Sequence, residues 1–247
     1  MTTEKGTLVL FDIDGTLTHS RQKVTSEMLD ALKNLRKKCT VGVVGGSDLP
    51  KQMDQLGDDV LDIVDYSFSE NGLVAYQGRN KIGENSLRSK YSVDQINKFI
   101  NWTLKYIADL DIPVKTGTFI ECRTGMMNIS PVGRNCTQQE RIQFYEFDKI
   151  HGIRKKMCQD MAAAFPEMKL QFSIGGQISI DVFPEGWTKT YCLRFVERQY
   201  DKIYFFGDMT MEGRNDYEIF NHPRVLGHTV KNPQDTIEQI NEIFSLV

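Results

Sequence analysis

The sequence predicts an α/β protein, a Rossmann-like and mostly parallel sheet core interrupted by a separate α+β insert. Three observations carry that prediction. Over its first third the chain alternates short apolar, β-branched runs with helical patterns, which is the grammar of βαβ units. In the middle this gives way to capped helices and to strand pairs joined at glycine turns. From Trp187 onward the βαβ pattern returns. These changes assign residues 1–82 and 187–247 to the core and residues 83–186 to the insert. A length of 247 residues allows two domains.

TLVLFDID is the first buried strand. Thr25 and Ser26 then open a helix whose Met28, Leu29, Leu32 and Leu35 fall on one face and whose end, Arg36-Lys37-Lys38, suits the negative pole of a helix dipole. TVGVVGGSD is a second buried strand running into a glycine turn, with a helix expected after it. Ser69-Glu70-Asn71-Gly72 reads as a hairpin turn, and the polar stretch Gln77 to Ser89 as a linker into the insert. There, Ser92-Val93-Asp94-Gln95 is a capping box opening a helix to about Leu110, and Thr137-Gln138-Gln139-Glu140 opens a second helical stretch. TFIECRTGMMNIS and KLQFSIGGQISIDVF each read as two strands about a glycine turn. Beyond the insert follow a helix in TKTYCLRFV, strands in KIYFFGD and VLGHTV, and a last helix after Pro233.

Composition removes several classes of function. With 40% hydrophobic and 26% charged residues the chain can bury a sizeable core, so disorder is not expected. A net charge of −3 offers no global attraction to nucleic acid or to an anionic membrane, and neither is expected as a partner. The cysteines (Cys39, Cys122, Cys136, Cys158 and Cys192) are odd in number and lack zinc spacing, as expected of free thiols in a reducing compartment. No apolar run has the length of a membrane span, and the run Leu8 to Phe11 is too short for a signal-peptide core. A cytoplasmic location is the expectation.

The chemistry concentrates at strand ends. Residues i and i+2 of a strand share a face, so Asp12 and Asp14 project together at the carboxyl end of the first strand, where open α/β sheets bind ligands. Turn chemistry before Gly15 explains them equally well. Ser47, in Gly45-Gly46-Ser47-Asp48, stands at a helix N-terminus suited to a phosphate, or serves as a plain cap. The late strand ends at Asp208. Lys189 precedes the helix before it and, taken alone, reads as solvated surface. Ser179 and Asp181 face one way in QISIDV.

Taken together, D-x-D-G-T at Asp12, Ser47, Lys189 and the pair Gly207-Asp208 followed by Asn215-Asp216 resemble the four motifs of the haloacid dehalogenase superfamily of phosphotransferases. FDIDGTLT, VGGSD, FSENGLVAY, NISPVGR, GGQISIDVFPEGW and FFGD, in that order, are similar to the eukaryotic-type phosphomannomutases over essentially the whole chain. FDIDGT alone is a superfamily signature, whereas NISPVGR with GGQISIDVFPEGW is specific to the family. The resemblance implies a haloacid dehalogenase core with a cap domain. It makes Asp12 the nucleophile, Asp14 the general acid/base, Lys189 and Ser47 the groups that hold the transferring phosphoryl, and Asp12, Asp14 (through its backbone carbonyl) and Asp208 the ligands of Mg²⁺.

The same resemblance gives the second phosphate of a sugar bisphosphate to Arg123, Arg134 and Arg141 of the cap with Arg21 of the core, and the sugar to Ser179 and Asp181. It implies sugar phosphates as substrates, hexose 1,6-bisphosphate as activator and intermediate, interconversion of mannose 6-phosphate and mannose 1-phosphate in supply of GDP-mannose synthesis, and a cap that excludes water. It also favours a homodimer through the cap. In the cap's first helix, Val93, Ile96, Ile100, Leu104 and Ile107 form one apolar stripe and Phe99, Trp102 and Tyr106 another, which suits either burial on two sides or a subunit interface containing Trp102.

Two departures stand out. Met211-Glu212-Gly213-Arg214-Asn215-Asp216 lacks the family's proline and second glycine, leaving Asn215 and Asp216 as weak candidates, and Thr188 replaces a common Asp. A capped Mg²⁺-dependent sugar-phosphate phosphatase is the rival reading, and a non-catalytic phosphosugar binder is a second; the cap arginines argue against the former and retention of both Asp12 and Asp14 against the latter.

Overall fold

The computed structural model describes residues 6–20 and 22–246. The chain divides into two compact units, Met1–Glu84 with Gly186–Val247, and Asn85–Glu185. In chain order the first carries β1 (Thr7–Phe11), α1 (Ser26–Arg36), β2 (Thr40–Val44), α2 (Leu49–Leu56), α3 (Val60–Ile63), β3 (Tyr66–Ser69), β4 (Val74–Gln77) and β5 (Asn80–Glu84). The second comprises α4 (Leu87–Lys90), α5 (Val93–Asp109), β6 (Ile120–Cys122), β7 (Met127–Ile129), α6 (Gln138–His151), α7 (Ile153–Ala164), β8 (Leu170–Gly175) and β9 (Ser179–Pro184). The first unit resumes with a 3₁₀ helix (Lys189–Phe195), β10 (Lys202–Gly207), α8 (Tyr217–Phe220), β11 (Val225–Thr229) and α9 (Pro233–Phe244).

The seven strands of the first unit run in the order β11-β10-β1-β2-β3-β4-β5. All neighbours from β11 to β3 are parallel, and β4 and β5 close the sheet antiparallel. β1 is buried along its whole length because both its faces are covered. Val9 and Phe11 pack with Met28, Leu32 and Leu35 of α1 and Ile240 of α9, while Leu8 and Leu10 pack with Cys192 and Leu193 of the 3₁₀ helix and Ile219 of α8. That two-sided burial is why TLVLF is a continuous apolar run and does not alternate.

The polar stretch Gln77 to Ser89 does carry the chain into the second unit, at 84/85, but it is not structureless. It contains the turn at Gly78, where φ is +52°, then β5 and α4. β5 is an edge strand, and Asn80, Lys81, Ile82 and Glu84 are all exposed, so no apolar alternation announced it. TKTYCLRFV forms a 3₁₀ helix: at three residues per turn, Lys189 and Cys192 turn inward together.

The second unit has a four-stranded antiparallel sheet, β6-β7-β9-β8. Both capping boxes form, Ser92 with Gln95 and Thr137 with Glu140. The second helical stretch breaks at Gly152, whose φ of +62° ends α6 and starts α7. The two stripes of α5 are the margins of one face: Phe99, Thr103 and Ile107 lie at its buried centre. Trp102 packs edge-on to Phe165 and stacks on Tyr106, inside the unit, whereas Val93 and Leu104 on the opposite margin are exposed.

Candidate active site

The carboxyl ends of β1, β2 and β10 surround one cavity of about 320 Å³. Its lining includes Asp12, Asp14, Ser47, Gln55, Asp208 and Asn215. Asp12, the residue after β1, donates its backbone N–H to Phe206 of β10 at 2.9 Å and is only 5% exposed. The chain then turns through Gly15, at φ +81°, where an added Cβ would strike the Asp208 carboxylate. The glycine lets those two loops touch. Asp14 accepts a hydrogen bond from the Gln55 amide at 2.8 Å.

Lys189 is fully buried, so the solvated-surface reading fails. Its Nζ donates to Asp12 Oδ1 and, at 2.5 Å, to Asp216 Oδ1. The second oxygen of Asp216 accepts the Met209 N–H at 3.0 Å. Burial pushes the Asp12 carboxyl up to about 7, opposed by the Lys189 charge, and the nearby Asp216 adds to the rise. Lys189 is itself held above the ordinary lysine range, because two carboxylates favouring its charge outweigh burial. One cation serves two buried acids, so with Asp12 ionised a negative charge is left unneutralised beside the cavity.

That charge fits a divalent cation. Carboxylate oxygens of Asp12, Asp208 and Asp216 all lie within 4.8 Å of one another. Asp208 Oδ1 is buried with no hydrogen-bond partner among the described residues, and burial raises the carboxyl's pKa. Hard oxygen donors of this kind suit Mg²⁺. The Asp14 side chain is not in this group, and Asp216, a weak candidate in the sequence, is. Ser47 is not the cap of α2, since Asp48 accepts the Lys51 N–H at 3.1 Å in that role.

In the second unit β7 and β9 bring a second polar cluster together on one sheet face. Asn128 is opposite Asp181 in the ladder and its amide donates to that carboxylate at 2.6 Å. Asn128 Oδ1 accepts from Ser179 at 3.2 Å and from Arg134. Glu121 pairs with Arg123 at 2.8 Å and with Arg134 at 2.6 Å, and the Arg123 hydrogen bond holds its carboxyl below the usual range. Burial raises Asp181. Arg141 lies near the start of α6, and no contact among those described links it to this cluster. Arg21 lies outside the described residues. Glu121, Asn128 and Gln55 were not among the site residues read from the sequence, although Asn128 opens the NISPVGR motif; its alternation with buried Met127 and Ile129 was the available signal.

Comparison with known proteins agrees with this chemistry. The family profile described as eukaryotic phosphomannomutase matches residues 28–246. A phosphomannomutase of Oryza sativa subsp. indica is 58% identical over 239 residues, 97% of this chain and 96% of the relative. One from Triticum aestivum is 56% identical over 98% of this chain and 96% of its own, and one from Arabidopsis thaliana 53% identical over 97% of each. Among solved structures, an IMP-nucleotidase of Plasmodium falciparum superposes with a TM-score of 0.65 at 14% identity, over 97% of this chain and 68% of that one. Trehalose-6-phosphate phosphatase of Aspergillus fumigatus gives 0.61 at 18% identity, over 98% and 93%. At such identities these two speak for the haloacid dehalogenase fold alone. The profile and the near full-length relatives together show that this chain belongs to the eukaryotic phosphomannomutase family of isomerases.

Proposed function

We propose that the chain interconverts mannose 6-phosphate and mannose 1-phosphate through a phosphorylated Asp12 and a hexose 1,6-bisphosphate, in supply of GDP-mannose synthesis. The observation that carries this reading is the buried Asp12–Lys189 pair at the edge of a cavity that Asp14 also lines. Glucose phosphates, which differ from mannose phosphates only at C2, are candidate secondary substrates.

An Asp12 oxygen attacks the phosphorus of one phosphate of the bisphosphate, and the bond from phosphorus to the sugar oxygen breaks. Asp14 gives that oxygen its proton. In the return step Asp14 takes the proton from the free hydroxyl of a bound mannose monophosphate, and that oxygen takes the phosphoryl from Asp12, giving a bisphosphate that turns end for end and yields its other phosphate to Asp12. Lys189 lowers the negative charge that the nucleophile presents to a phosphate, and Ser47 holds the transferring oxygens. Asp12 and Asp208, with the Asp14 carbonyl or the Asp216 carboxylate, would hold Mg²⁺, which supplies the positive charge that lets a carboxylate approach a phosphate dianion. Gln55 keeps Asp14 turned to the cavity.

In the insert, Arg123 and Arg134, together with Arg141 and Arg21, hold the phosphate that is not reacting. Ser179 and Asp181 take the sugar hydroxyls. Arginine forks bind either phosphate of a bisphosphate alike, as a mutase needs when its intermediate turns end for end. The exposed Val93 and Leu104 of α5 support a homodimer through the insert. No helix among the described residues is long and apolar enough to cross a membrane, in keeping with the proposed cytoplasmic location.

³¹P NMR of α-mannose 1-phosphate with Mg²⁺ and trace glucose 1,6-bisphosphate tests the reaction. The mannose 6-phosphate signal should grow; inorganic phosphate in its place would mean a phosphatase, and an unchanged spectrum a binder. Asp12→Asn should abolish turnover, and an active Asp12→Asn protein would remove the nucleophile assignment.

A further inference from the structure

The turn Glu70-Asn71-Gly72 has so far served only to join β3 to β4. Its backbone is costly. Three successive residues have positive φ, at +48°, +64° and +101°, and two of them carry a side chain. Asparagine tolerates that region, glutamate does so less readily, and such residues persist only where their surroundings over-determine them. The root of the turn is fixed in that way: buried Gln52 of α2 accepts from the Ser67 and Ser69 hydroxyls at 3.0 and 3.2 Å and donates to the Phe68 carbonyl at 3.2 Å.

The strained conformation aims donors at two loops of the site. The backbone N–H of Asn71 donates to Gly45 O, and that of Glu70 to Ser47 O, each at 2.9 Å, so the turn grips both ends of the Gly45-Gly46-Ser47 loop from behind. Gly45 N–H is bonded in turn to Phe68 O at 3.0 Å. The Asn71 side-chain amide goes elsewhere, to the carbonyl of Trp187 at 3.3 Å, two residues before Lys189. Gly72 completes the approach, because a Cβ there would lie 2.7 Å from Cys192 Cα and 2.8 Å from its N, within the 3₁₀ helix that Lys189 begins.

We propose that Asn71 is a positioning residue, tying the loop that presents Ser47 to the segment that delivers Lys189 by holding the carbonyls of Gly45 and Trp187. This rests on the roles given to Ser47 and Lys189 under the proposed function. The two halves of the tether separate by mutation. Asn71→Gly keeps a backbone that accepts positive φ, and with it the bond to Gly45, but loses the bond to Trp187. Asn71→Asp keeps size and φ tolerance and turns a carboxylate oxygen toward the Trp187 carbonyl in place of a donor.

The experiment is steady-state kinetics of the full chain with mannose 1-phosphate, Mg²⁺ and glucose 1,6-bisphosphate, alongside thermal unfolding. Asn71→Gly should lower kcat about tenfold with KM within about twofold of the parent, since Ser47 stays held while Lys189 loosens. Its unfolding midpoint should stay within about 4 °C of the parent. Asn71→Asp should lower kcat further, by about thirtyfold. Parental kcat in Asn71→Gly, or a loss carried by KM in place of kcat, would overturn the proposal. A parent without mutase activity would instead remove the function on which it rests.

Discussion

Asp12 carries an electrostatic consequence that can be tested directly. Burial lifts its carboxyl from 3.8 to about 7 and raises Asp208 as well. In the metal-free protein, ionising Asp12 therefore costs stability as pH climbs between those two values, and below about 7 the site holds a proton that a cation must displace. Magnesium is accordingly expected to raise the unfolding midpoint more at pH 8 than at pH 5.5, measured by thermal shift at equal ionic strength. An equal or opposite dependence would mean that Asp12 does not face the ion. Gly15→Ala should abolish the magnesium response, because both its positive φ and its contact with Asp208 are lost; the thermal shift with and without Mg²⁺ reads this directly. Asp12, Asp14, Ser47 and Asp208 could be picked out in the sequence because each stands where an apolar run stops. The burial of Lys189 could not be, since nothing in TKTYCLRFV distinguishes a lysine beneath a sheet from one in water. Asp216 stayed a weak candidate for the same reason: its partners, Lys189 and Met209, meet it only through the fold.

Elements show the same division. β1, β2 and β10 were legible as unbroken apolar runs, and α5 and α6 from their capping boxes, because these signals are local. β5 was illegible because an edge strand in water has no apolar face to alternate, and the 3₁₀ helix because its choice over an α-helix is made by what Lys189 and Cys192 must reach. Between α6 and α7, Arg154 is buried with Asp148, to which its Nε donates at 2.7 Å, and its Nη1 reaches the carbonyls of Gly175, Gly176 and Ser179 at 3.1 to 3.3 Å. Arg154→Met leaves Asp148 buried without its counter-charge, accepting only the residue-154 backbone N–H, and should cost about 3–5 kcal/mol, measured by urea unfolding. Adding Asp148→Leu should recover most of that loss. A stability unchanged by Arg154→Met would mean that the helix junction does not depend on the pair.

At the scale of the whole molecule, the exposed Val93 and Leu104 on α5 predict self-association. Light scattering at working concentration should give a dimeric mass for the parent and a monomeric mass for the double variant Val93→Glu/Leu104→Glu, with unchanged far-UV circular dichroism. A monomeric parent would remove the dimer. The seams of the two units fall at 84/85 and 185/186, so the first unit is built from two distant lengths of chain. β1 illustrates what this means, for one of its neighbours, β2, follows it closely, while the other pairs Thr7 with Lys202. On the ribosome, then, the strand that ends at Asp12 waits with one edge open while the entire insert is made. Lys189, Asp208 and Asp216 all emerge afterwards. Asp12 is synthesised before the insert yet acquires its electrostatic surroundings only after it, so a chain halted inside the insert carries this acid with neither Lys189 nor the two carboxylates that gather around it.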